Sequence, residues 1–173
     1  MLLWIIIIAA SVILDQVTKT IVMNTMELYQ TIPVIEDVFS FTYIHNYGAA
    51  WGMFSNHRWV FIILTAVALV IMPILLYKYR NVHFLFSFSL SLIIGGAIGN
   101  MIDRIGLGYV VDFLQATFID FPVFNVADVC VVCGAIMMFI YIIFLDKTLF
   151  ADKPKKTEKV KEVSHDGTDD KTN

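Results

Sequence analysis

Charge is scarce in this chain. Only 16% of its 173 residues are Asp, Glu, Lys or Arg, and much of that charge lies beyond residue 146. With 58% hydrophobic residues and a mean hydropathy of +0.76, the composition excludes an ordinary water-soluble domain. Cysteine occurs twice, as Cys130 and Cys133 inside an apolar run, without a second pair or a nearby histidine. Metal or redox chemistry is therefore not supported there, and two small core thiols are the better reading. His45, His57, His83 and His165 show no ligand spacing, so no metal is expected. No Ser or Cys stands beside a plausible base and no glycine-rich phosphate loop is present. Neither a cofactor nor a nucleic-acid partner is called for.

What the chain has instead is long apolar runs. A bilayer core of about 30 Å takes about 20 apolar residues as helix, and the stretches near 2–23, 59–77, 84–103 and 123–145 qualify. The expected fold is an α-helical integral membrane protein with four transmembrane helices. The first run resembles a signal-peptide core, and Ala9-Ala10-Ser11 looks like a cleavage site. No basic segment precedes it, however, and the apolar pattern resumes after Asp15, so it reads as a retained helix. Lys78, Arg80 and the cations from Lys147 to Lys171 place both termini in the cytoplasm by the positive-inside rule. Segments 24–58 and 105–122 are then extracytoplasmic.

In the first of these, Phe39-Ser40-Phe41-Thr42-Tyr43-Ile44 alternates as a half-buried strand does, which predicts a small β-sheet cradle between helices one and two. Gly48 to Phe54 reads as a short interfacial helix or a mobile flap, and Trp51 and Trp59 suit the aromatic belt. Residues 1–147 form the membrane domain. Residues 148–173 are too polar to bury a core and read as a disordered cytoplasmic tail, with contact to anionic lipid head groups as the alternative.

The polar residues within apolar sequence carry the functional signal, because buried charge is costly unless partnered. Asp15 and Lys19, four apart, share a helical face; a structural ion pair is favoured over direct catalysis, and the pair can also orient site residues. Gly95 and Gly99 permit close helix approach. Asn100 and Arg104 share a face of the third helix, Arg104 either snorkelling or balancing charge, while Asp103 points elsewhere and caps or pairs locally. Asn46 and Asn125 occupy turn positions, and Asn125 either caps the fourth helix or hydrogen-bonds an aspartate or a water. Ser87, Ser89 and Ser91 read as backbone-bonding serines. Asp112 and Asp128 remain, one from a loop and one from a helix, converging at one membrane face. Two carboxylates held close share a proton, the ionised one activating water and the protonated one serving as acid.

Taken together, Asp15-Gln16-Val17-Thr18-Lys19, Asn46-Tyr47-Gly48-Ala49-Ala50-Trp51, the run from Gly95 to Arg104, Val110 to Phe113 and Phe124 to Asp128 resemble five ordered motifs of the lipoprotein signal peptidases (signal peptidase II). The resemblance covers residues 1–147. It implies a bacterial, multi-pass protein of the cytoplasmic membrane with its site near the outer leaflet. Asp112 and Asp128 are implied as the catalytic dyad of an intramembrane aspartic endopeptidase. Asp15, Lys19, Asn46, Gly48, Asn100, Arg104, Asn125 and Ala127 are implied as substrate-binding or site-shaping. The implied reaction removes the signal peptide of a diacylglyceryl-modified prolipoprotein before the lipid-bearing cysteine, and the implied inhibitor is globomycin. With all these residues on one chain, a monomer is the simplest assembly. A small proton-coupled transporter and a non-enzymatic lipoprotein-binding factor are the alternatives. The first would need polar residues at both membrane depths, and the second would tolerate loss of either aspartate.

Overall fold

In the computed structural model, residues 1–48 and 58–146 are described. The chain runs α1 (Leu2–Thr25), β1 (Thr31–Ile35), β2 (Phe39–Asn46), α2 (Arg58–Tyr79), α3 (Phe84–Gly106), β3 (Val110–Ala116) and α4 (Val126–Ile140), with α4 widening into a π-helical turn at Tyr141–Leu145. Four helices, the last counted through Leu145, are long and apolar enough to cross a membrane. Their apolar residues face outward in quantity: α2 buries only Leu76 among the described residues, as expected of a helix whose surroundings are lipid rather than water. The interfacial helix expected after Gly48 and the tail at 148–173 lie outside the described residues.

α3 is the central helix, packed against α1, α2 and α4. Small residues make that packing close. A Cβ built on Gly99 would stand 2.5 Å from Asp15 Oδ2, and one on Gly96 would run into the Ala127 carbonyl, so α3 is clamped between α1 and α4 at the level of Asp15. At one end of the bundle Trp4, Leu76, Leu90 and Ile94 form an apolar cluster. At the other, Val22 meets Tyr43, Val111 and Phe113 of the sheet.

The sheet is antiparallel in the order β1-β2-β3. It differs from the sequence expectation in one respect that bears on the site: a third strand is supplied from the other loop. Asp112 is therefore on a strand, not in a loop. Val110, Val111, Asp112 and Phe113 are buried in succession, so β3 lacks the alternation by which a half-buried strand is recognised. β1 carries Pro33 on the sheet's edge, where a missing N–H costs nothing. α3 ends at a turn in which the N–H groups of Leu107 and Gly108 both donate to the Asp103 carbonyl. Gly108 takes a φ of +88°, and this bend starts the chain into β3.

Two smaller expectations also change. The cysteines are not core thiols: both are free, Cys133 is exposed and Cys130 half-buried, because α4 turns that face outward. α4 starts at Val126, three residues inside its apolar run, because Phe124 first bridges back to Leu114 and Asn125 then caps the helix, which leaves Val123 ahead of it. Ser87, Ser89 and Ser91 are fully buried and donate to the Arg80, Phe86 and Ser87 carbonyls.

Candidate active site

The polar residues of α1, α3, β2, β3 and α4 meet at the end of the bundle where the sheet sits. Helix α4 begins with a capping box: the Asn125 side chain accepts from the Asp128 N–H at 2.9 Å, and Asp128 Oδ2 accepts from the Asn125 N–H at 3.1 Å. This ordinary way of satisfying the free N–H groups of a helix start fixes the Asp128 carboxylate at the mouth of the bundle. It also leaves the Asn125 amide nitrogen free to point inward. That nitrogen donates to Asp112 Oδ1 at 2.6 Å and also lies within hydrogen-bond distance of Asn100 Oδ1 at 3.0 Å and the Val111 carbonyl at 3.3 Å. Asn125 is thus both cap and aspartate partner, the two options left open by its position in sequence.

Each carboxylate is held by amide donors. Asp112 Oδ2 accepts from Asn46 Nδ2 at 2.8 Å, and Asn46 Oδ1 in turn accepts from the Gly48 N–H at 2.9 Å. Asp128 Oδ1 accepts from Asn100 Nδ2 at 2.8 Å. Burial pushes the Asp112 carboxyl up to about 7, the negative charge of Asp128 adding to the rise while the bonds from Asn46 and Asn125 oppose it. Arg104 forms no direct ion pair among the described residues. It donates to the Asn100 and Gly48 carbonyls at 3.4 and 3.5 Å, lies over the Phe61 ring, and is close enough to feel the charges of Asp128 and Asp112.

Beneath this pair lies a second, fully buried cluster. Lys19 Nζ stands 2.9 Å from both Asp15 Oδ2 and Asp103 Oδ2, and donates to Asn100 Oδ1 at 2.9 Å. Asp15 Oδ1 accepts the Ala127 N–H at 2.9 Å, which ties α1 to the first turn of α4. Asp103 Oδ2 also accepts the Val111 N–H at 3.1 Å, tying α3 to the strand that carries Asp112. Gln16 closes the ring, donating to Asp15, Asp103 and the Gly99 carbonyl. Among the described residues no buried side-chain nitrogen or oxygen lacks a partner, so the network is complete in the sense that a buried polar network must be.

Every residue singled out from the sequence therefore falls in or against one connected network: Asp15, Lys19, Asn46, Gly48, Asn100, Arg104, Asp112, Asn125, Ala127 and Asp128. Sequence reasoning gave Asp103 only a local cap or pairing and passed over Gln16; Asp103 instead reaches across to Lys19 of α1 and the Val111 N–H of β3, partners that no spacing within α3 encodes. Gln16 carries no signal either, because one polar side chain beside an ion pair looks like any exposed glutamine.

Chemically, the arrangement offers two carboxylates bridged by an asparagine, with no cation among the described residues in direct contact with either, at the end of an apolar bundle. That is suited to sharing a proton and activating water. Comparisons with known proteins place the chain in a family. A family model described as signal peptidase (SPase) II matches residues 7–144. The lipoprotein signal peptidase of Halothermothrix orenii is 46% identical over 131 residues, covering 76% of this chain and 88% of that protein. That of Brevibacillus brevis is 45% identical over 145 residues, covering 83% and 97%. A solved bacterial membrane enzyme superposes with a TM-score of 0.79 at 35% identity, over 87% of this chain and 92% of its own. A match across nearly the whole described bundle, in sequence and in fold, means that the chain belongs to the signal peptidase II family.

Proposed function

We propose that this membrane peptidase cuts diacylglyceryl-modified prolipoproteins just before the lipid-bearing cysteine, with Asp112 and Asp128 as the catalytic pair. The observation that carries the reading is the Asn125 side chain, which binds Asp112 directly and Asp128 through the capping box. With one proton shared between the carboxyls, the ionised member takes a proton from water as the water oxygen attacks the scissile carbonyl carbon. The protonated member gives its proton to the carbonyl oxygen. Collapse of the resulting diol returns a proton to the departing amine, leaving a carboxylate on the signal peptide and a free amino group on the cysteine. Asn46, Asn100 and Asn125 hold the carboxyls in place, and Arg104 balances their charge while binding the Gly48 carbonyl at the rim.

Asp15, Lys19 and Ala127 shape the site from below by fixing α1 against α4. Both termini lie in the cytoplasm, so the sheet end faces the outer leaflet. There a transmembrane signal peptide and two acyl chains reach the pair laterally from the bilayer. Residues 148–173 take no part, and the enzyme acts as a monomer that globomycin blocks at the same carboxyl pair. The test is cleavage of a diacylglyceryl-modified prolipoprotein by the purified protein in bilayers, with Asp112→Asn and Asp128→Asn alongside. Loss of cleavage in both, with globomycin-sensitive cleavage by the parent, is the expected result. Cleavage that survives either substitution removes the dyad.

A further inference from the structure

Beside the carboxyl pair, at the same end of the bundle, Tyr47, Arg58, Trp59, Leu107, Gly108 and Tyr109 surround a cavity of about 400 Å³. The reaction described above does not use it. Its volume is in the range of small-molecule sites, and its one charged wall among the described residues is a cation. Two other cations of this end are already engaged: Lys19 with two carboxylates, Arg104 with two carbonyls and the Phe61 ring. Arg58 lies 5.0 Å over the Trp59 ring and ion-pairs with no carboxylate among the described residues. The bend at Gly108 makes room for it, since a Cβ there would stand 2.7 Å from Arg58 Nη1.

The lining selects by charge and by shape. Among the described residues no carboxylate lines the cavity, so an ammonium head group has no counter-charge there. The ring faces that would otherwise take a quaternary ammonium are partly in use: Arg58 covers Trp59, and His45 stacks on Tyr109 at 3.7 Å and 16°. Burial lowers the His45 imidazole's proton affinity, which disfavours a positive charge on the stacked ring. Trp59 and Leu107 are exposed apolar residues at the ends of two spanning helices, where acyl chains would lie. A guanidinium in a cavity that Tyr47 and Tyr109 also line, with exposed apolar residues to one side, matches a phosphate diester carrying lipid chains.

We propose that this cavity binds the phosphate of an anionic phospholipid, drawn from the leaflet at the sheet end. Its walls flank the site on both strands, Tyr47 following Asn46 and Tyr109 preceding Val110, which pair across β2 and β3. The bound lipid therefore braces the edge of the sheet that presents Asp112. The leaflet's identity rests on the orientation proposed above; the chemistry of the cavity does not.

The test measures lipid and not cleavage, so its failure is separate from failure of the peptidase reading. Full-length protein is taken from vesicles of equal parts phosphatidylglycerol and phosphatidylcholine, and retained lipid is counted by native mass spectrometry. One phosphatidylglycerol held in preference to phosphatidylcholine is expected. Arg58→Gln should reduce its retention about tenfold, and Arg58→Lys several-fold, because an ammonium keeps the charge and loses the planar fork. Lys78→Gln, at the far end of α2, should change nothing. Equal retention of the two lipids, or Arg58→Lys behaving as the parent, would reduce the cavity to general surface attraction and overturn the proposal. So would inorganic phosphate binding to the detergent-solubilised protein at Arg58 without selective lipid retention.

Discussion

Two clusters of carboxylates sit one above the other in this bundle, and they are built from the same residue type to opposite ends. In the lower one, Asp15 and Asp103 share the Lys19 ammonium at 2.9 Å each, and their other contacts come from backbone N–H groups and Gln16. In the upper one, Asp112 and Asp128 are held by Asn46, Asn100 and Asn125, with no ammonium or guanidinium among the described residues in direct contact. An amide donor fixes a carboxyl in position without supplying the charge that would hold it permanently ionised. The lower cluster is thus suited to joining helices, the upper to exchanging protons. Asn100 belongs to both, accepting from Lys19 and donating to Asp128.

The sharpest way to break this contrast is to neutralise one member of each cluster. Asp128→Asn should lower cleavage of a lipid-modified prolipoprotein by roughly 10²–10⁴-fold, the range for removing an acid/base group, while the protein still folds. Lys19→Met should do the reverse in kind: it leaves two buried carboxylates unpaired and costs about 3–5 kcal/mol of stability. Denaturation in mild detergent would show that loss. If Lys19→Met were as stable as the parent and Asp128→Asn unfolded, the assignment of roles would be inverted.

A third prediction concerns pH. With the folded Asp112 carboxyl at about 7 and an ordinary value of 3.8, the folded state binds its proton more tightly than the unfolded state. Stability therefore falls as pH rises between those values, and the full cost is present above about 7. Asp112→Asn removes that ionisation. Its melting temperature relative to the parent should rise on going from the acid to the alkaline side of about 7. On the acid side it should be the less stable of the two, because a fixed amide cannot accept from both Asn46 and Asn125. A difference in melting temperature that stays constant across pH would mean that Asp112 is not the group carrying the proton.

The contrast between the clusters was only partly legible in the sequence. Helical spacing paired Asp15 with Lys19 and put Asn100 with Arg104, and the four apolar runs located the helices to within a few residues. Those are local regularities, fixed by 3.6 residues per turn. Asp103 joining Lys19, and Val110–Ala116 adding a strand to the sheet of the other loop, depend on which segments meet across the bundle. No period in the chain encodes that meeting. The strand was the harder of the two, since burial on both faces erases the alternation that marks a strand.

The smallest expected effect probes the upper cluster from its exposed side. Asn46 donates to Asp112 Oδ2 and accepts from the Gly48 N–H, so Asn46→Ala removes one of the two amides holding that carboxyl. Its bond favours the ionised form and opposes the rise caused by burial, so its loss should move Asp112 further up. The limb of the pH–activity curve that reports this ionisation should shift to higher pH, and maximal cleavage should fall less than in Asp128→Asn because both carboxyls remain. Asn125→Ala serves as the comparison. It removes the other amide and also the helix cap, worth about 0.5–2 kcal/mol, so it should shift the same limb and lower the melting temperature as well. A limb unmoved by Asn46→Ala would mean that this asparagine holds the turn at Gly48 and leaves the acid–base balance of the pair to Asn125 and Asn100.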